Sequence, residues 1–173
     1  MALSSLFDAE HDTLVVQHFM FDPADENGCS SCSLWSDSFD GLLPHIKRKA
    51  SFAVVARAKP EQLRAMKARK GWRFPFLSAF ASSFGADMSV SYTDEQVASK
   101  DKLYNFGSSP VWCREMPGVS VFHKSADGAI FLTYNTFSRG LEPLCSIWNL
   151  FDALPNGRDE KRPMDWLKHK EAY

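Results

Sequence analysis

Leu14-Val15-Val16-Gln17-His18-Phe19-Met20-Phe21, followed after a short loop by Gly28-Cys29-Ser30-Ser31-Cys32, decides how this chain is read. The first run is rich in Val and Phe and short enough for a buried strand. The second opens an amphipathic stretch marked by Trp35, Phe39 and Ile46. Two thiols therefore stand where a strand hands over to a helix. With Ser31 and Cys32 in the first helical turn, sulfurs at i and i+3 share a face and reach disulfide distance, the first of them at the solvent end. Free amide N–H groups at such a terminus favour a thiolate. The pattern suits a dithiol that cycles between reduced and oxidised forms.

Outward from this pair, the helix is predicted to run to about Asp40 and to break or kink at Gly41 and Pro44. Ser51 to Ala56 is a second apolar run, and Pro60-Glu61-Gln62-Leu63 starts a helix that Gly71 ends. A short strand follows near Phe76-Leu77-Ser78. Strands alternating with helices imply right-handed crossovers and a parallel core. From Ala79 to Trp112 the pattern is irregular, with a short helix near Asp94 to Lys100.

Past Pro117 the character changes. Val119 to His123 and Ala129 to Tyr134 flank Ala126-Asp127-Gly128, a hairpin signal. Leu144, Ile147, Trp148 and Phe151 then recur at helical spacing, predicting a helix over Leu141 to Leu154 that Pro155-Asn156-Gly157 stops. The expected fold is α/β, a mixed sheet with a parallel β-α-β half and an antiparallel hairpin, flanked by helices. Residues 1–173 are read as one domain, with 155–173 as a charged, loosely packed tail around Trp166.

Composition narrows the function classes. A chain of 173 residues with 45% apolar and 13% aromatic content builds a continuous core and needs no disulfide to fold. The aromatic load leaves room for a ring-lined contact with a partner or with a second copy in a homodimer. A net charge of −1 gives no basic footprint for nucleic acid or an anionic membrane. The Lys47-Arg48-Lys49 and Lys67 to Lys70 clusters are read as solvated helix ends. No apolar run approaches the roughly 20 residues that span a bilayer, and the N-terminus lacks the pattern of a secretory signal, so a cytoplasmic protein is expected. Four cysteines in such a chain do not make a structural disulfide framework. Cys145 reads as a buried, inert thiol; Cys113, in a loop beside Trp112 and Arg114, is free to act as a resolving thiol but not required to.

The order of elements resembles the thioredoxin fold. More narrowly, Val16 to Phe21, Gly28 to Trp35, Phe39-Asp40-Gly41, Gly71 to Pro75, Pro117 to Phe122 and Tyr134 to Leu141 resemble the bacterial thioredoxin-like family catalogued as domain of unknown function 899. Two departures stand out: Ser30 replaces the Pro usual between the cysteines, and relatives usually carry a longer N-terminal extension; a missing first strand would expose a sheet edge or leave a partner to cover it. The resemblance implies a cis-proline beside the dithiol, at Met116-Pro117, with the Met116 backbone offered to a bound peptide.

The chemistry expected is thiol–disulfide exchange, Cys29 attacking and Cys32 resolving, with a protein or small-molecule thiol or disulfide as partner and no cofactor. Its weak point is electrostatic. Asp22, Asp25, Glu26, Asp37 and Asp40 flank the pair, and no Lys or Arg lies between His18 and His45, so Cys29 should be only moderately acidic unless Arg73, Arg139 or His18 approaches it. A peroxidase is less suited: peroxiredoxins set a Pro-x-x-x-Thr-x-x-Cys pattern before the reactive cysteine, and Phe21 to Asn27 contains no Thr. Two other classes remain. Zinc or copper would use Cys29 and Cys32 with single candidates from His18, His45, His123 and Cys113, although a satisfied core His18 is the plainer reading. A redox-silent binding protein would keep the thiols as packing.

Overall fold

The computed structural model describes residues 2–173 and centres on strand β1 (Thr13–His18). To one side β1 pairs in parallel with β2 (Ser51–Ala56), and β2 in parallel with β3 (Phe76–Ser78). To the other side β1 pairs antiparallel with β4 (Gly118–Lys124), and β4 with β5 (Ile130–Phe137), giving the order β3-β2-β1-β4-β5. The mixed α/β architecture expected from the alternation is present, and the two halves of the sheet meet at β1, whose C-terminal end delivers the chain to the dithiol. β1 is central, so the sheet's edges fall to β3 and β5.

Alternation along β1 divides the molecule into two layers. Leu14 and Val16 join Val55 and Phe122 on one face. Val15 and, beyond the strand, Phe19 and Phe21 face the other, where helices α1 (Ser30–Ile46) and α2 (Pro60–Lys70) bury Trp35, Phe39, Leu63 and Met66. β2 is buried at every position, as its unbroken apolar run foretells. Gly71 closes α2 with φ +71°, a left-handed cap that glycine adopts without strain.

Helix α1 does not stop at Asp40. It continues through Gly41 and Pro44 to Ile46. Proline 44 has no N–H for the carbonyl of Asp40, the loss that normally breaks a helix. Arg73 replaces it: its Nη2 donates to that carbonyl, while its Nε and backbone N–H donate to the Asp40 carboxylate at 3.1 and 2.6 Å. The compensation comes from a loop distant in sequence, which local pattern reading cannot register.

The C-terminal region also departs from expectation. The single helix over Leu141 to Leu154 is instead a 3-10 segment (Ser138–Leu144) followed by a short helix (Ile147–Asp152). The extended backbone at Cys145 separates the two, and Pro143 lies within the first. Trp35 fastens the first piece to α1 by donating its Nε1–H to Leu141 O at 2.8 Å. The tail is docked. Trp166 packs edge-on against Phe151 and Trp148, with centroids 5.1 and 5.9 Å away, Lys70 meets Glu171 at 2.7 Å, and Lys170 meets Asp37 at 2.8 Å. These contacts bring Pro163 and Met164 back to the dithiol end.

Candidate functional site

Cys29 is the N-cap of α1. Its sulfur accepts the backbone N–H of Cys32 at 3.3 Å, the position a Ser or Asp oxygen takes in an ordinary cap. The Met20 backbone grips both cysteines: its carbonyl accepts the Cys29 N–H at 3.0 Å, and its own N–H points at the Cys32 sulfur at 3.5 Å. Gly28 permits this approach. A Cβ there would stand 2.6 Å from Phe19 Cε1 and 3.1 Å from Phe21 Cδ1, so a side chain would force the strand end and the helix start apart. Gln17, buried in β1, ties the two from inside; its Nε2 donates to Cys32 O at 3.0 Å and its Oε1 accepts from Ser36 Oγ at 2.9 Å.

The two thiols are unlike. Cys29 is partly exposed, whereas Cys32 is only 3% accessible. The Cys32 side chain, and then the amides of Cys32 and Ser31, lower the Cys29 thiol from 9.0 to about 7, overcoming the opposing effect of burial. The Cys32 thiol is pushed well up, because it donates to the sulfur of Cys29 and is cut off from water. A thiolate on Cys29 beside a protonated Cys32 is the arrangement a nucleophile with a resolving partner requires.

None of Arg73, Arg139 or His18 produces this shift, contrary to the expectation that one of them would be needed. Arg73 serves Asp40 and Arg139 pairs with Glu142. His18 is a buried core residue. Its Nε2 lies 2.6 Å from Ser120 Oγ, which donates onward to Asn135 Oδ1 at 2.9 Å, and burial lowers its pKa to about 4, so the ring is neutral at pH 7. The acidic flank is also quieter than sequence proximity suggests. Arg57 and Arg114 approach Asp22 at 3.1 and 3.5 Å, and Trp72 and Lys170 hold Asp37.

The Met116-Pro117 bond is not cis; no cis peptide occurs among the described residues. The Met116 N–H is committed to Val90 O at 2.7 Å and its side chain is buried, so the backbone donor expected to meet a peptide is occupied. Pro117 does reach the dithiol. Together with Cys29 and Cys32 it lines a cavity of about 250 Å³, walled further by Trp35, Leu141 and Met164. Gly118 lets β4 begin against this wall, since a Cβ would lie 2.9 Å from Phe137 Cδ1 and 3.2 Å from His18 Cδ2.

The remaining candidates lie apart. Among the described residues no group of three or more His, Cys, Asp or Glu side chains is placed to hold a metal ion. His45 is at the far end of α1, and His123 stands 3.8 Å from Asp12. Cys145 is buried and its thiol raised by burial. Cys113 shares a second, more open cleft with Cys29, but its thiol donates to Glu115 O at 3.0 Å and is also raised by burial. Gln17 and the tail residue Met164 escape sequence reasoning: one hides in a strand as a buried amide, the other in a segment without periodicity.

A parallel β-α-β half joined to an antiparallel hairpin, with a cysteine pair at the start of the first long helix, defines a protein of the thioredoxin-like fold. The chain belongs to the family described as bacterial protein of unknown function (DUF899), whose profile matches residues 1–173. Among curated proteins none matches the sequence. Similar solved structures include a Cys-to-Ser mutant of Xanthomonas campestris peroxiredoxin Q, with TM-score 0.54 and 13% identity over 84% of this chain and 82% of that one. Another is the X. campestris bacterioferritin comigratory protein, in a study of its alkyl peroxide reduction, with TM-score 0.51 and 14% identity over 80% and 78% of the two chains. At such identities the likeness is one of fold. No helix among the described residues is long and apolar enough to cross a membrane.

Proposed function

We propose that this protein is a cytoplasmic thiol–disulfide oxidoreductase. The observation that carries the reading is the division of labour between Cys29, lowered to about 7 at the start of α1, and Cys32, raised and buried behind it. The Cys29 thiolate attacks a disulfide sulfur of the partner, forming a mixed disulfide and releasing one thiolate, which takes a proton from water. Cys32 then loses its proton and attacks Cys29, releasing the second thiol and leaving the Cys29–Cys32 disulfide. The protein gives up two electrons and the partner gains them. An external thiol reverses the sequence, and a reduction potential decides the direction.

A steady-state assay tests this. With dithiothreitol as reductant, the protein should accelerate reduction of bis(2-hydroxyethyl) disulfide, and Cys29→Ser should abolish the acceleration. Cys32→Ser should trap the mixed disulfide, visible as a mass increase. Turnover retained by Cys29→Ser would move the chemistry elsewhere.

The peroxiredoxin neighbours motivate a second reading, in which the Cys29 thiolate attacks a hydroperoxide, becomes a sulfenic acid and condenses with Cys32. The absence of Thr from Phe21 to Asn27 weighs against it. Hydroperoxide consumption no faster than that of a free thiol would exclude it.

A further inference from the structure

The cavity at the dithiol names a class of substrate, and the inference rests on the exchange chemistry proposed above. At about 250 Å³ it is below the roughly 300–1,000 Å³ of sites for drug-sized ligands, but above the roughly 150 Å³ of an engineered cavity that takes benzene. It therefore fits a short hydrocarbon group. Both thiols lie in its wall, and Met20, Trp35, Val119, Leu141 and Met164 supply apolar surface.

Three of the polar residues in the same wall are already engaged, while the Ser138 hydroxyl and the Trp112 indole N–H make no hydrogen bond among the described residues. Gln17 is bonded to Cys32 O and Ser36, His18 to Ser120, and Arg139 to Glu142. A ligand that brings hydroxyl, amide or carboxylate groups into this largely apolar space meets only Ser138 and Trp112 as uncommitted side-chain partners, and a polar group left unpaired there disfavours binding. An extended peptide fares no better. Strand addition beside Pro117 needs main-chain donors, and the Met116 N–H is held by Val90 O. The docked tail adds Pro163 and Met164 to the wall.

We infer that the partner disulfide of this protein is a small dialkyl disulfide, one alkyl arm of which enters the cavity between α1, Pro117 and the tail, rather than a disulfide within an extended protein segment. Seating the arm brings its sulfur to Cys29. The S–S bond of the substrate breaks as the Cys29–S bond forms, the free alkyl thiolate takes a proton from solvent, and attack by Cys32 releases the second alkyl thiol.

Dipropyl disulfide and bis(2-hydroxyethyl) disulfide differ by a terminal methyl against a hydroxyl and are nearly equal in size. Each is mixed with the reduced protein in a single-turnover experiment followed by tryptophan fluorescence and by mass, and the ratio of the two rates is compared with the same ratio for free dithiothreitol. The protein should favour dipropyl disulfide by about 10- to 100-fold beyond dithiothreitol's own ratio, the range by which apolar pockets discriminate hydroxyl isosteres. Met164→Glu should bring that ratio down toward the dithiothreitol value. A wild-type ratio within about twofold of dithiothreitol's, with both disulfides reacting, overturns the alkyl-pocket inference and leaves the exchange chemistry standing. Failure to react with either overturns both. The wild-type ratio needs no variant to fold.

Discussion

The backbone N–H of Cys32 donates to the sulfur of Cys29 at 3.3 Å, so the residue proposed to resolve a mixed disulfide also acts on the thiol proposed to form it. A helix terminus alone stabilises an anion by about 0.3–1 kcal/mol, less than one pKa unit. Donation by the Cys32 thiol, the largest influence, and then by the amides of Cys32 and Ser31 brings Cys29 to about 7.

The pH dependence of alkylation follows. The rate of Cys29 modification by iodoacetamide in the reduced protein should rise with pH and reach half its plateau near pH 7. A midpoint near the roughly 8.5 of a free cysteine would show that the cap does not act on the sulfur. Cys32→Ala should move the midpoint upward, because the Cys32 side chain is the largest lowering influence and alanine has no donor to replace it.

Gln17 holds the helix start to the central strand through two buried hydrogen bonds. Gln17→Ala should destabilise the protein by about 1–3 kcal/mol, since Cys32 O and the Ser36 hydroxyl lose a partner with no route to water. Urea unfolding measures this, and a change under about 0.5 kcal/mol would assign the amide no structural weight.

Arg73 and Pro44 should be coupled. Arg73→Ala leaves the Asp40 carbonyl without the donor that substitutes for a residue-44 amide, and should cost about 1 kcal/mol at this exposed site. In a Pro44→Ala background the new amide can take over, so the same Arg73→Ala change should cost less. A double-mutant cycle with no interaction energy would contradict the compensation.

Glu115 predicts a pH-dependent stability. Burial raises its carboxyl from 4.5 to about 7, against the lowering effects of Ser91, Arg57 and Arg114. The folded state thus keeps a proton that the unfolded chain releases between pH 4.5 and 7. Its contribution is full below pH 4.5 and is lost as pH rises through about 7, so stability falls across that window. Glu115→Gln should remove this part of the slope; an unchanged difference curve between the two proteins would show that Glu115 does not titrate there.

The fold was legible because its signals are local. The Val-rich runs, Pro60 and Gly71 around α2, and Asp127-Gly128 in the hairpin each specify their element through nearest neighbours. Pro117 was placed beside the cysteine pair by the resemblance to the thioredoxin fold, not by any local signal, and it lines the same cavity. What escaped depends on contacts between distant residues: Arg73 on Asp40 carries α1 past Pro44, Trp166 on Phe151 docks the tail, and Val90 occupies the Met116 amide. The electrostatic setting of Cys29 was only partly legible for a related reason. Sequence proximity counted Asp22 and Asp37 as free charges, whereas Arg57 and Lys170 meet them in space.

The most direct test of the account is peptide mapping by mass spectrometry after the protein has been equilibrated with a graded dithiothreitol redox buffer. A Cys29–Cys32 disulfide that appears and disappears reversibly, with Cys113 and Cys145 remaining thiols throughout, is the predicted result. Cysteines 29 and 32 that stay reduced across the whole series, or a disulfide that joins Cys29 to another residue, would contradict it.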